Sequence, residues 1–183
     1  ITYSAVGLIG RGVTVGVQDT GIDASHPDLN VVASIAPLPV GNHGTHVAGT
    51  IAGSGEQSDK DNFLENSNGG TPFQWRGMAP QAELISAGDL VGAGNWLNAI
   101  VGSSLDVINR ARSISFDGVY DIENQAVDQE VRGGAAFLGV EIPRRPMVYS
   151  AGNHARLPQH QEPLGPLAPF LGGPATGTVV TLD

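Results

Sequence analysis

The run Asn42-His43-Gly44-Thr45-His46-Val47-Ala48-Gly49-Thr50-Ile51-Ala52-Gly53 constrains the fold more than any other part of the chain. Its glycines and alanines leave a helix almost without side chains, and such a helix packs deep against a neighbouring surface, a sheet being the natural one. Asn42 is expected to be the N-cap, its side chain accepting a backbone N–H of the first turn. His43 then stands at the helix mouth, with His46 one turn further in and expected to be buried and hydrogen-bonded.

The flanking segments supply the sheet. Gly12 to Gln18 alternates β-branched and small residues and is closed by Asp19 and Gly21, the pattern of a short buried parallel strand. Its C-terminal end, where an open α/β sheet places ligands, is occupied by Asp19. Ser25 to Leu29 reads as a turn around Pro27, and a short apolar strand follows Asn30 before Pro37 and Pro39 lead round to the helix. The polar stretch Ser54 to Arg76 has no period and reads as a loop. The turn Gly77-Met78-Ala79-Pro80 and a strand over 82–87 come next.

Apolar residues at 97, 100, 101, 105 and 108 predict a helix ending near Ala111, followed by a strand over 113–116. A second helical pattern runs through Ala126, Val127, Val131, Ala135 and Leu138, ahead of a strand from Pro146 to Ser150. Residues 178–182 are expected to open another strand. Alternation of this kind indicates an α/β fold with a doubly wound, mostly parallel sheet and helices on both faces.

Composition narrows the function classes. The chain of 183 residues is 40% hydrophobic, enough for a core, and its aromatic share of 5% leaves that core to Val, Ile, Leu and Ala. A formal net charge of −9, with only 9 Lys and Arg, argues against a nucleic-acid surface, and no apolar run reaches the length of a membrane span. The absence of cysteine excludes disulfides, thiol catalysis and Cys-ligated zinc. No initiator methionine or signal segment is present, so a processed chain or an excised fragment is expected.

Three motifs occur in one order: Asp19-Thr20-Gly21-Ile22-Asp23, the histidine helix, and Ser150-Ala151-Gly152-Asn153. Together they resemble the subtilisin-like serine proteases, over nearly all 183 residues, which would make residues 1–183 the N-terminal part of one peptidase domain. The resemblance implies a serine endopeptidase in which His43 takes the proton of a serine and Asp19 fixes the imidazole tautomer. It implies that Asn153 donates its amide to the oxyanion, with Gly152 allowing close approach. It also implies a polypeptide substrate laid as a strand between Gly92-Ala93-Gly94 and Ser115-Phe116-Asp117. Asp117 departs from the family pattern: it either sets a negative charge beside the main specificity pocket or points to solvent. A secreted or extracellular protein is the matching expectation. No cofactor is required for the chemistry, and a structural calcium at Asp28 is one reading of a segment that also fits an ordinary capped turn.

One element of the pattern is absent. The family carries its nucleophile in a Gly-Thr-Ser-Met-Ala-x-Pro segment, and nothing similar lies between Asn153 and Asp183. The chain by itself is therefore expected to be inactive, with the serine on a complementary chain or segment. Two other readings compete. One is a non-catalytic peptide-binding module on the same fold. The other is a metal hydrolase on His43 and His46, whose spacing of three without an intervening Glu does not match the zinc-protease helix.

Overall fold

The computed structural model describes residues 7–35, 39–60, 69–88, 104–111, 122–135 and 141–150. Its centre is a parallel sheet of β1 (Thr14–Asp19), β2 (Val31–Ile35), β3 (Glu83–Gly88), β4 (Val107–Arg110) and β7 (Met147–Tyr149), in the order β2-β3-β1-β4-β7. A separate antiparallel pair joins β5 (Gly134–Ala135) to β6 (Glu141–Ile142). Among the described residues the helices are α1 (Asn42–Ala52) and α2 (Ile122–Arg132). The expected α/β class with a mostly parallel sheet is the one observed.

Strand order fixes where a site can form. From β1 the chain builds β2 and β3 on one side, then crosses to β4 and β7 on the other, so the direction of winding reverses at β1. In open parallel sheets the crevice at such a reversal, beyond the carboxyl ends of the strands, is the ligand position. Asp19 is the last residue of β1.

α1 packs on the face of the sheet that carries Val15 and Val17. Gly44, Ala48 and Ala52 recur every fourth residue and form its buried stripe. Val15, Val17, Ile22, Ala48, Ala52, Ala82 and Leu84 make one core cluster, with Val13, Leu29, Val31, Val47, Ile51 and Ala79 packed around it. At Gly44 the helix approaches so closely that a Cβ would overlap the Gly21 carbonyl oxygen. The end of α1 is closed from outside: the amides of Gly77, Met78 and Ala79 donate to the carbonyls of Gly53, Thr50 and Ile51 at 2.8, 3.1 and 2.7 Å. That is the work of the Gly-Met-Ala-Pro turn, which satisfies carbonyls a helix end leaves open.

Two expected helices are corrected. The first was expected to end near Ala111, but Val107–Arg110 is β4, paired with β1 and β7, and the part of that pattern before residue 104 lies outside the described residues. Ile108 lies beside Gly16 in register, and Leu105 covers Gly16, whose added Cβ would come within 3.0 Å of the leucine side chain. A spacing of three is compatible with a helix, but the missing side chain at Gly16 makes the strand the better-packed solution. The second helix stops at Arg132 and does not run to Leu138. Gly133 has φ 71, the left-handed conformation that ends helices, and Gly134–Ala135 enters β5. The strands expected over 113–116 and 178–182 lie outside the described residues. Among the described residues no helix is long and apolar enough to cross a membrane.

Candidate active site

Asp19 and His43 come together at the carboxyl edge of the sheet. The imidazole Nδ1 lies 2.8 Å from both Asp19 Oδ1 and Oδ2. A carboxylate only accepts, so Nδ1 carries the proton, and Nε2 is the nitrogen left to act on a substrate or nucleophile. The Asp19 side chain is 3% exposed and that of His43 is 59% exposed, so the carboxylate is sheltered and the imidazole is accessible. Thr20 N–H donates to Asp19 Oδ1 at 2.6 Å, a further hydrogen bond that holds the carboxylate.

The cap of α1 differs from the sequence expectation. Gly41, in extended conformation, occupies the N-cap position with no side-chain cap bond, and Asn42 is the first helical residue. Thr20 does the capping from another element, its Oγ1 accepting Gly44 N–H at 3.1 Å. A Cβ on Gly41 would collide with that hydroxyl. Asn42 lost the role because the neighbouring turn already brings an oxygen to the helix mouth.

His46 is also corrected. It is exposed and lines a groove of about 790 Å³ along the outer side of α1, together with Val40, Gly49, Thr50, Trp75 and Met78. Its place in the helix puts it away from the buried Gly44–Ala48–Ala52 stripe. Among the described residues no three His, Asp or Glu side chains converge as a metal group would require. Asp28 serves as a fastener: its Oδ1 accepts Ser54 Oγ at 2.7 Å and Gln57 N–H at 3.1 Å, tying the turn to the segment after α1.

Gly92, Ala93, Gly94, Ser115, Phe116, Asp117, Gly152 and Asn153 lie outside the described residues. β7 ends at Tyr149, directly before the Ser150-Ala151-Gly152-Asn153 motif, and pairs with β4 so that Arg110 faces Tyr149. Sequence reasoning missed this half-buried pair: Arg110 Nη1 donates to Tyr149 Oη at 3.1 Å, with the guanidinium 5.7 Å from the ring centroid. It also missed Ser86, whose hydroxyl accepts Ile22 N–H at 3.1 Å beneath the Asp19 turn. A serine among the apolar residues Leu84, Ile85 and Ala87 was the available signal.

The sequence matches the Subtilase family over residues 10–170. It is 38% identical over 119 residues to Subtilisin E of Bacillus subtilis (strain 168), covering 56% of this chain and 27% of that protein. To the Major intracellular serine protease of the same organism it is 32% identical over 158 residues, covering 73% and 44%. Among solved structures, MycP1 with its N-terminal propeptide removed aligns with a TM-score of 0.52 at 24% identity, over 82% of this chain and 46% of that one. At that identity the likeness is one of fold. The chain thus spans less than half the length of these relatives.

Proposed function

The chain belongs to the subtilase family, and on that premise we propose that it supplies the acid and base of a serine endopeptidase. The observation that carries this is the 2.8 Å contact between buried Asp19 and accessible His43 at the point where the sheet reverses its winding. In the proposed reaction His43 Nε2 takes the proton from a serine hydroxyl as the oxygen attacks the peptide carbonyl. Asp19 keeps the proton on Nδ1 and stabilises the resulting imidazolium, which then protonates the leaving amine. Asn153 is assigned the oxyanion and residues 92–94 and 115–117 the substrate strand, on the strength of the family resemblance.

The serine is assigned to a complementary segment outside the 183 residues. That segment is proposed to bring its serine to His43, whose side chain is 59% exposed at the carboxyl edge of the sheet. An extracellular place of action belongs to the same proposal and is checked by cell fractionation; one relative is intracellular by name.

The test is to supply the chain with a segment containing Gly-Thr-Ser-Met-Ala-x-Pro and to follow peptide hydrolysis. Turnover that fluorophosphonates abolish and chelators spare supports the proposal. The opposite pattern would favour metal hydrolysis and overturn it. Peptide binding with no hydrolysis after reconstitution would instead select a second reading, a peptide-binding module without turnover.

A further inference from the structure

The turn after β1 and the first turn of α1 are stitched by two threonines whose hydrogen bonds run in opposite directions. Thr20, on the turn, accepts Gly44 N–H of the helix at 3.1 Å. Thr45, on the helix, accepts Asp23 N–H of the turn at 3.0 Å and donates its hydroxyl to the Gly41 carbonyl at 3.0 Å. Thr20 has a second contact, its own amide donating to Asp19 Oδ1 at 2.6 Å. One residue thus touches the carboxylate with its backbone and the histidine helix with its side chain.

From this geometry we infer that Thr20 and Thr45 are positioning residues, a reciprocal clasp that sets the Asp19–His43 separation and so keeps the imidazole proton on Nδ1. The physical reason is leverage. Asp19 ends a strand and His43 begins the helix, two elements joined by a connection of more than twenty residues; besides the threonines, the Gly41 amide donating to the Gly21 carbonyl at 3.3 Å ties them together. Gly44 and Gly41 have no side chains, so the two backbones come close enough for hydroxyls as short as threonine's to span the gap. The methyl groups matter as well, since β-branching restricts χ1 and holds each hydroxyl in place.

The inference rests on the proposed role of His43 as base, but its test does not need turnover. In the full chain labelled with 15N, long-range 1H–15N imidazole spectra read the His43 tautomer, and amide exchange reads the clasp bonds. We expect a single Nδ1–H tautomer in the parent chain and a mixture in Thr20→Val, with Gly44 amide exchange about 2- to 13-fold faster, as the loss of one hydrogen bond implies. Thr45→Val should do the same to the tautomer while speeding exchange at Asp23. Thr20→Ser and Thr45→Ser, which keep the hydroxyl, should retain the parent tautomer. A folded valine variant with an unchanged tautomer overturns the inference. If neither valine variant folds, a serine variant that loses the parent tautomer overturns it instead. A mixed tautomer in the valine variants combined with failed reconstitution of hydrolysis would sink the protease proposal and leave the clasp standing.

Discussion

Replacing Gly44 by alanine tests the close approach that brings the histidine to the aspartate. In an ordinary helix position the change stabilises by about 0.5–1 kcal/mol, because glycine loses more backbone entropy on folding. At Gly44 the new Cβ would overlap the Gly21 carbonyl oxygen and sit 3.1 Å from its carbon and 3.2 Å from the Gly21 nitrogen. All three are backbone atoms, so no flexible side chain can yield. Overpacking of this kind costs about 1–3 kcal/mol, which offsets or exceeds the propensity gain and leaves a net loss of up to about 2.5 kcal/mol. Gly49, on the same helix, provides the control, since nothing lies within 4 Å of its Cβ and the full gain should appear. The two alanine variants should therefore move the urea midpoint in opposite directions at an unchanged m-value. If Gly44→Ala raises the midpoint as Gly49→Ala does, the helix is not held against the turn by van der Waals contact and the reasoning fails.

Three further outcomes are expected. In the reconstituted protease His43→Ala abolishes hydrolysis, whereas His46→Ala, an exposed position, changes the stability of the chain by no more than about 0.5 kcal/mol in thermal unfolding; equal loss of turnover in both would reverse the two roles. The 183-residue chain alone takes up no fluorophosphonate, Ser150 included, and a stoichiometric adduct in the intact mass would contradict this. Hydrogen bonds from the Ser25 side chain and then the Ser25 backbone hold the Asp23 carboxyl below the usual aspartate value of 3.8. A folded-state value below the unfolded one means that its contribution to stability is present above the aspartate range and is lost as pH falls through the lower folded value. Ser25→Ala should move the Asp23 titration, followed by carboxyl NMR, back up towards 3.8, and no movement would refute the assignment.

Much of the site's scaffold was legible in the sequence because it depends on local pattern. β1 is a short run of β-branched residues closed by Asp19, α1 repeats small residues every fourth position, and the Gly-Met-Ala-Pro turn is written in consecutive residues. The errors share one cause: each concerns a choice made by residues distant in sequence. Ile108 is three residues from Leu105 in a helix or a strand alike, and the vacancy at Gly16 on another strand decides between them. Asn42 has the chemistry of a cap, but a hydroxyl 22 positions earlier reaches the helix mouth first. His46 shares its helix with the buried stripe, yet only the packing of α1 on the sheet determines which side it faces. The sequence alone determined which residue types are present for acid–base chemistry and on which elements they ride, because periodicity and turn chemistry act within a few residues. Their separation of 2.8 Å, their unequal exposure and the threonines that hold them were decided by the tertiary structure, because these depend on how closely two backbones can approach, which only the packed sheet and helix define.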